Sequence, residues 1–291
     1  MAKTPATGTT VLRMILGRQL RALRKKAGLD FDQAAEATLV SSHTVRRMES
    51  SEGGLKLVTV RAALQAYGIT DSSEIDAFLD LCRKANQPGW WHSYSDVLPS
   101  WFSLAVGLEE AAALIRSYDP QAVPGLLQAP GYADAIIRTG FPDATSEETE
   151  RRVSLQLARQ QILARPSPPR LWAVIDEAAL RRPAATTGPE IMREQIDHLI
   201  NAAAQPNVTL QILPFSAGLH PAMFGPCRHF RFDADQPDIV CCEFPTGAQY
   251  LDRPDEVTQY VQILDRVSAQ AAPPASTPAA LREIRKETLN P

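Results

Sequence analysis

The chain has 291 residues, 44% of them hydrophobic, with four cysteines and a formal net charge of −3. That length predicts about two domains with sizeable cores. The absence of a C-x-x-C pair argues against a disulfide or metal scaffold, and no apolar run approaches the ~20 residues of a membrane span. The charge is unevenly spread: residues 1–67 hold 11 Lys+Arg against 5 Asp+Glu, leaving 19 against 28 for the rest. A basic front joined to an acidic rear suits a nucleic-acid module attached to something that does not bind nucleic acid.

The first residues, MAKTPATGTT, are polar and carry no signal peptide, so a cytoplasmic protein is expected. Thr9 or Thr10 can cap a helix running to about Ala27, with Leu12, Ile15, Leu16, Leu20 and Leu23 on one stripe. Arg18, Arg21, Arg24, Lys25 and Lys26 fall mostly off that stripe; they form either a solvated face or a phosphate-facing one. Gly28 ends the helix.

Phe31 to Glu49, FDQAAEATLVSSHTVRRME, reads as two short helices around a tight turn at Leu39-Val40. Ala34, Ala35, Leu39, Val45 and Met48 fall where the crossing of such a pair needs small or apolar side chains. Ser41 or Ser42 opens the second helix, since either hydroxyl can accept a bond from a free backbone N–H. Ser42, His43, Thr44, Arg46 and Arg47 are left on or near the outer face. In a helix-turn-helix the second helix lies in the major groove, where arginine can donate two bonds to guanine. These five residues are therefore the expected base or phosphate contacts, with Gln33 reaching a phosphate or bracing the second helix. The alternative is an ordinary helical hairpin with two surface arginines.

After a turn at Ser50–Gly54, helices are predicted over Leu57–Tyr67 and Glu74–Ala85, the latter capped by Ser72 or Ser73. Five helices in this order resemble the lambda-repressor-like (XRE-type) family of helix-turn-helix regulators. The motifs that carry the likeness are Arg21-x-x-Arg24, Gln33 with Ala34-Ala35, and Ser-x-x-x-Val-x-x-Met-Glu from Ser41 to Glu49. The resemblance implies an all-α five-helix domain over residues 10–85, in which Glu49 pairs with Arg21 or Arg24 rather than touching DNA. His43 departs from the amide common at its position, so the family's base preference does not carry over.

Residues 86–101, NQPGWWHSYSDVLPSW, form an aromatic connector, expected to lie along the second domain; an exposed patch for a partner is the alternative. Beyond it the chain reads as mixed α+β with a small, mainly antiparallel sheet over residues 102–271. Helices are predicted over Ala105–Ser117, Pro130–Thr139, Ser146–Arg165, Gly188–Ala204 and Pro254–Ala271. Strands are predicted over Leu171–Glu177, Asn207–Phe215, CRHFRFD, DIVCCEF and Gln249–Leu251. Residues 272–291 are a linker and a helix that is either a tail or a packed element.

YSDVLPSWFSLAVGLEEAA, VPGLLQAPGYADAIIR, RRVSLQLARQQIL, PPRLWAVIDEAALRRP, PNVTLQILPFSAGLHPA and FPTGAQYLD resemble a domain that recurs behind helix-turn-helix modules in actinobacterial regulators. That resemblance implies transcriptional regulation or an antitoxin-like role, with a small acidic partner protein encoded nearby.

Chemistry in this part is not expected. Glu177 and Arg181 stand four apart, as helical ion pairs do. His220 and His229 could converge with Glu243, but no tight ligand spacing is present. No nucleophile elbow or phosphate-cradling glycine run occurs. Cys82, Cys227, Cys241 and Cys242 read as buried thiols. The loop SAGLHPAMFGP is the best candidate for a partner or ligand surface, with a structural loop as the plainer reading. The expectation is a DNA-binding transcriptional regulator without cofactor, metal or catalysis. It would be cytoplasmic and nucleoid-associated, acting as a homodimer on a double-stranded operator. The rival is an antitoxin-like interaction protein.

Overall fold

The computed structural model describes residues 10–50, 55–87, 89–182, 188–232 and 237–287. The chain divides into two compact units between Ala111 and Ala112.

The first unit is helical. It comprises α1 (Thr10–Lys26), α2 (Phe31–Thr38), α3 (Ser42–Glu49), α4 (Leu57–Ala66), α5 (Ser72–Ala85), a 3-10 turn at Trp90–Tyr94 and α6 (Ser100–Ala111). The apolar stripe of α1 places Leu16 and Leu20 in a core with Val45, Met48, Val60, Leu64, Ile75 and Leu79. Gly28 stops α1 at a positive φ of 74°, where a Cβ would be strained. Arg13 is buried, and its Nε donates to the Ala85 carbonyl at the end of α5, 3.1 Å away. Asn86 bonds both the N–H and the carbonyl of Leu55, at 3.0 and 2.7 Å, and so holds the entry to α4. Residues 51–54 of the expected turn, and residues 1–9 with the Thr9 cap, lie outside the described residues.

Trp91 is buried, and its indole N–H donates to Ser103 Oγ at 3.1 Å. The aromatic segment is thus held by α6, and both group with the first unit. A Cβ on Gly89 would collide with the Trp91 ring, so only glycine admits this approach.

The second unit is built on a six-stranded sheet in the order β3-β2-β1-β4-β5-β6. The strands are β1 (Leu114–Asp119), β2 (Arg170–Asp176), β3 (Val208–Leu213), β4 (Cys227–Arg231), β5 (Ile239–Phe244) and β6 (Gly247–Leu251). Pairings from β1 through β4 and β5 to β6 are antiparallel, whereas β1-β2 and β2-β3 are parallel. The sheet is therefore mostly antiparallel as expected, but larger than the small sheet read from the sequence.

One expectation fails at the centre of this sheet. The helix predicted over Ala105–Ser117 ends at Ala111, and Leu114–Asp119 is strand β1, flanked by β2 and β4. Its Arg116 is buried within the strand, paired with Asp265 at 2.7 Å and set 4.9 Å from the Trp172 ring. A charged residue inside a buried strand erases the apolar run that would announce it.

Helices α7 (Pro130–Gly140), α8 (Ser146–Gln160), α9 (Glu177–Arg181), α10 (Pro189–Ala203), α11 (Pro254–Gln270) and α12 (Thr277–Glu287) complete the unit. On one face of the sheet Tyr118, Val174, Leu213, Cys227, Val240 and Cys242 pack with Val257, Leu264 and Val267 of α11. Buried amides fix the loops. Gln195 of α10 accepts from Ala129 N–H at 2.7 Å and donates to the Leu127 carbonyl at 2.8 Å. The outer edge of β3 is closed by the chain that follows α11. Ala272 N–H donates to the Ile212 carbonyl and Thr277 Oγ1 to the Leu210 carbonyl, at 2.9 and 2.6 Å. Leu281 and Ile284 of α12 are buried, so this helix is a packed element rather than a tail.

Candidate nucleic-acid interface

The helix pair α2–α3 forms where the sequence places it. Asp30 caps α2, its Oδ1 accepting from the N–H groups of Asp32 and Gln33 at 2.9 and 2.8 Å. Gln33 Oε1 in turn accepts from Asp30 N–H at 3.0 Å, completing a capping box. The carbonyl end of Gln33 is thereby committed to the helix start.

Ser41, not Ser42, caps α3, accepting from Thr44 N–H at 3.2 Å. The turn between the helices corrects one expectation. Leu39 sits in the left-handed region at φ 55° and is 93% exposed, not part of the crossing. The left-handed cap turns its side chain to solvent, and Val40 packs against the core instead. Ala34, Ala35, Val45 and Met48 are buried as the crossing requires.

Val45, Met48 and Glu49 define the buried side of α3. At about 100° per residue, His43 and Arg47 lie on the opposite side, with Arg46 and Thr44 on the two flanks. His43, Arg46 and Arg47 are exposed, while Ser42 and Thr44 are half-buried. The Thr44 hydroxyl is 2.9 Å from Ser41 Oγ, within the cap.

Glu49 faces inward. Arg24 Nε and Nη2 donate to its two carboxylate oxygens at 2.6 and 2.9 Å, while Nη1 donates to the Leu29 carbonyl at 2.8 Å. The hydrogen bond to Glu49 raises the Arg24 pKa, and burial beside this pair pushes Tyr67 up to about 12. Arg24 is thus removed from the basic cluster of α1, because its guanidinium is buried and neutralised. Arg21, Lys25 and Lys26 remain exposed along α1. Sequence reasoning missed Phe31, the first residue of α2. Its ring lies 4.0 Å from the Arg24 guanidinium carbon and 4.2 Å from that of Arg46.

Among its described residues the second unit gathers no comparable set. Tyr118 Oη donates to Asp176 Oδ2 at 3.0 Å and is 3.2 Å from His220 Nε2. His229 is buried with Asp238 at 2.7 Å, and Glu243 pairs with Arg228. The three groups that could have converged are held apart by separate partners. Asp176 caps α9 through Ala178 N–H, and Glu177 pairs with Arg181, as its spacing implied. The four cysteines are buried thiols, and burial raises Cys82 to about 11 and Cys227 to about 12. No helix among the described residues is long and apolar enough to cross a membrane.

A helical unit with a capped, arginine-bearing α3 is a helix-turn-helix module, a class whose presence points to DNA-binding regulation. Residues 15–78 match the family described as Helix-turn-helix domain. Residues 102–283 match the family described as Domain of unknown function (DUF5753); as this is more than half of the chain, the protein belongs to that family. No curated protein and no solved structure matched the chain.

Proposed function

We propose that the protein is a sequence-specific DNA-binding transcriptional regulator of the lambda-repressor-like (XRE) type. Residues 10–85 meet the operator through α3, and residues 102–271 respond to a protein partner or ligand. Ser42, His43, Thr44, Arg46 and Arg47 contact bases or phosphates, with Gln33 on a phosphate. One module spans only a few base pairs, so a homodimer on a repeated half-site is expected. The reading places the protein in the cytoplasm, on the nucleoid, without a catalytic step.

The observation that carries it is the orientation of α3. Its buried side is fixed by Val45, Met48 and the Arg24–Glu49 pair, and that leaves His43, Arg46 and Arg47 in solvent. The test is selection from a random-sequence duplex library, repeated with Arg46→Ala/Arg47→Ala. A shared motif enriched by the wild type and lost in the folded double variant supports the reading. Undiminished operator affinity in that variant defeats it.

A second reading, an antitoxin-like protein that holds a small acidic neighbour, is favoured by one feature of the second unit. Phe215, Leu219, Met223 and Phe224 are all more than half exposed in the loop between β3 and β4. A stoichiometric small protein that co-purifies from the native host, and is released by Leu219→Ser/Phe224→Ser, would favour it.

A further inference from the structure

Arg46 and Arg47 are adjacent, yet the structure treats them differently. Arg47 stands on the side of α3 opposite its buried face. Arg46 lies on a flank, and its guanidinium carbon is 4.2 Å from the ring centre of Phe31. That ring belongs to the first residue of α2, whose start is fixed by the Asp30–Gln33 capping box. It is approached a second time by Arg24, at 4.0 Å. Two guanidinium groups on one ring would repel, but Arg24 is neutralised by both oxygens of Glu49. Glu49 is three residues beyond Arg46 in the same helix. The contacts therefore run from Glu49 to Arg24 to Phe31 to Arg46, and tie the flank of α3 to the beginning of α2.

Stacking on an aromatic ring leaves the edge N–H groups of a guanidinium able to donate while fixing its plane. A side chain tethered sideways to α2 is not extended toward a groove floor beneath α3. Resting on the DNA-binding reading above, we infer that Phe31 is a positioning residue for Arg46. It presents Arg46 to a backbone phosphate, so that Arg46 supplies affinity and register, and base choice rests with His43 and Arg47. Phosphate contacts carry salt-dependent affinity that is common to all sequences, whereas base contacts carry preference.

The test uses the full-length chain and the operator it selects from a random duplex library. Arg46→Ala is expected to weaken binding to that operator and to an unrelated duplex by the same factor, about tenfold, and to lower the salt slope by about one. Phe31→Leu, which keeps an apolar side chain but removes the π face, is expected to shift binding the same way, and Phe31→Tyr to restore it. In an Arg46→Ala background, Phe31→Leu should have no further effect, whereas a merely structural role would add its own loss. In the free protein, the Arg46 side-chain protons should show ring-current shifts that vanish in Phe31→Leu. Relaxed base preference at an operator position in Arg46→Ala overturns the inference, as do additive losses in the double variant. A wild-type chain that binds no duplex overturns the DNA-binding reading itself, and this inference with it.

Discussion

Arg24 and Glu49, 25 residues apart, meet through two charge-assisted hydrogen bonds of 2.6 and 2.9 Å, with side chains only 6% and 3% exposed. The pair joins the last turn of α1 to the last residue of α3. Removing one partner of a buried pair strands the other charge in a poor solvent, at a cost of about 3–5 kcal/mol. Glu49→Ala should therefore lower the stability of the first unit by that order in urea denaturation. The double change Arg24→Met/Glu49→Leu should recover most of the loss, because no charge is then left buried.

Leu39 holds a left-handed backbone with its side chain in water. An L-residue with a Cβ carries a penalty of roughly 1–2 kcal/mol there, against about 0.5–1 kcal/mol of extra chain entropy for glycine. Leu39→Gly should raise stability by about 0.5–1 kcal/mol, read as a small increase in midpoint temperature. A drop would show that Leu39 makes a contact its exposure does not suggest.

Burial raises the Asp119 carboxyl from 3.8 to about 6. A raised acid pKa means the folded state holds its proton where the unfolded chain has released it. Stability contributed by this group is thus full below pH 4 and is lost as pH rises toward 6. Asp119→Asn should be more stable than wild type at pH 8, by on the order of 2 kcal/mol, and equal to it near pH 4. Urea midpoints at the two pH values check the sign; a variant less stable at pH 8 would contradict it.

Gln195 satisfies both Ala129 N–H and the Leu127 carbonyl from a fully buried position. Gln195→Leu leaves both backbone groups without partners, costing about 1–3 kcal/mol for each. Hydrogen exchange should report the change at Ala129 first.

Helices α1 to α5 were legible because their apolar residues recur at helical period, and α2, α3 and α5 also begin at a capping side chain. The Leu39 misplacement came from the turn, since nothing local shows that a leucine will adopt a left-handed cap. Pairing of Glu49 with an arginine of α1 was implied by family resemblance, and the choice of Arg24 over Arg21 needed the fold. Phe31 gave no signal, because its contacts come from α1 and α3. In the second unit β2 and β3 were legible as apolar runs. β1 was not, because Arg116 interrupts its pattern and an alanine-rich helix runs almost into it. The parallel half of the sheet depends on which distant strands become neighbours, and no local spacing encodes that.

The bonds from Ala272 and Thr277 onto β3 bear on how the protein emerges from the ribosome. The first unit has all its core residues in hand before any strand of the second is made. The second must wait, because the chain that closes its sheet edge follows all six strands. Until then the Leu210 and Ile212 carbonyls are open to any passing strand. A chain cut short after Ala271 would keep an intact helix-turn-helix module and carry a second unit with an exposed strand edge. Such a fragment is a natural client for chaperones and proteases.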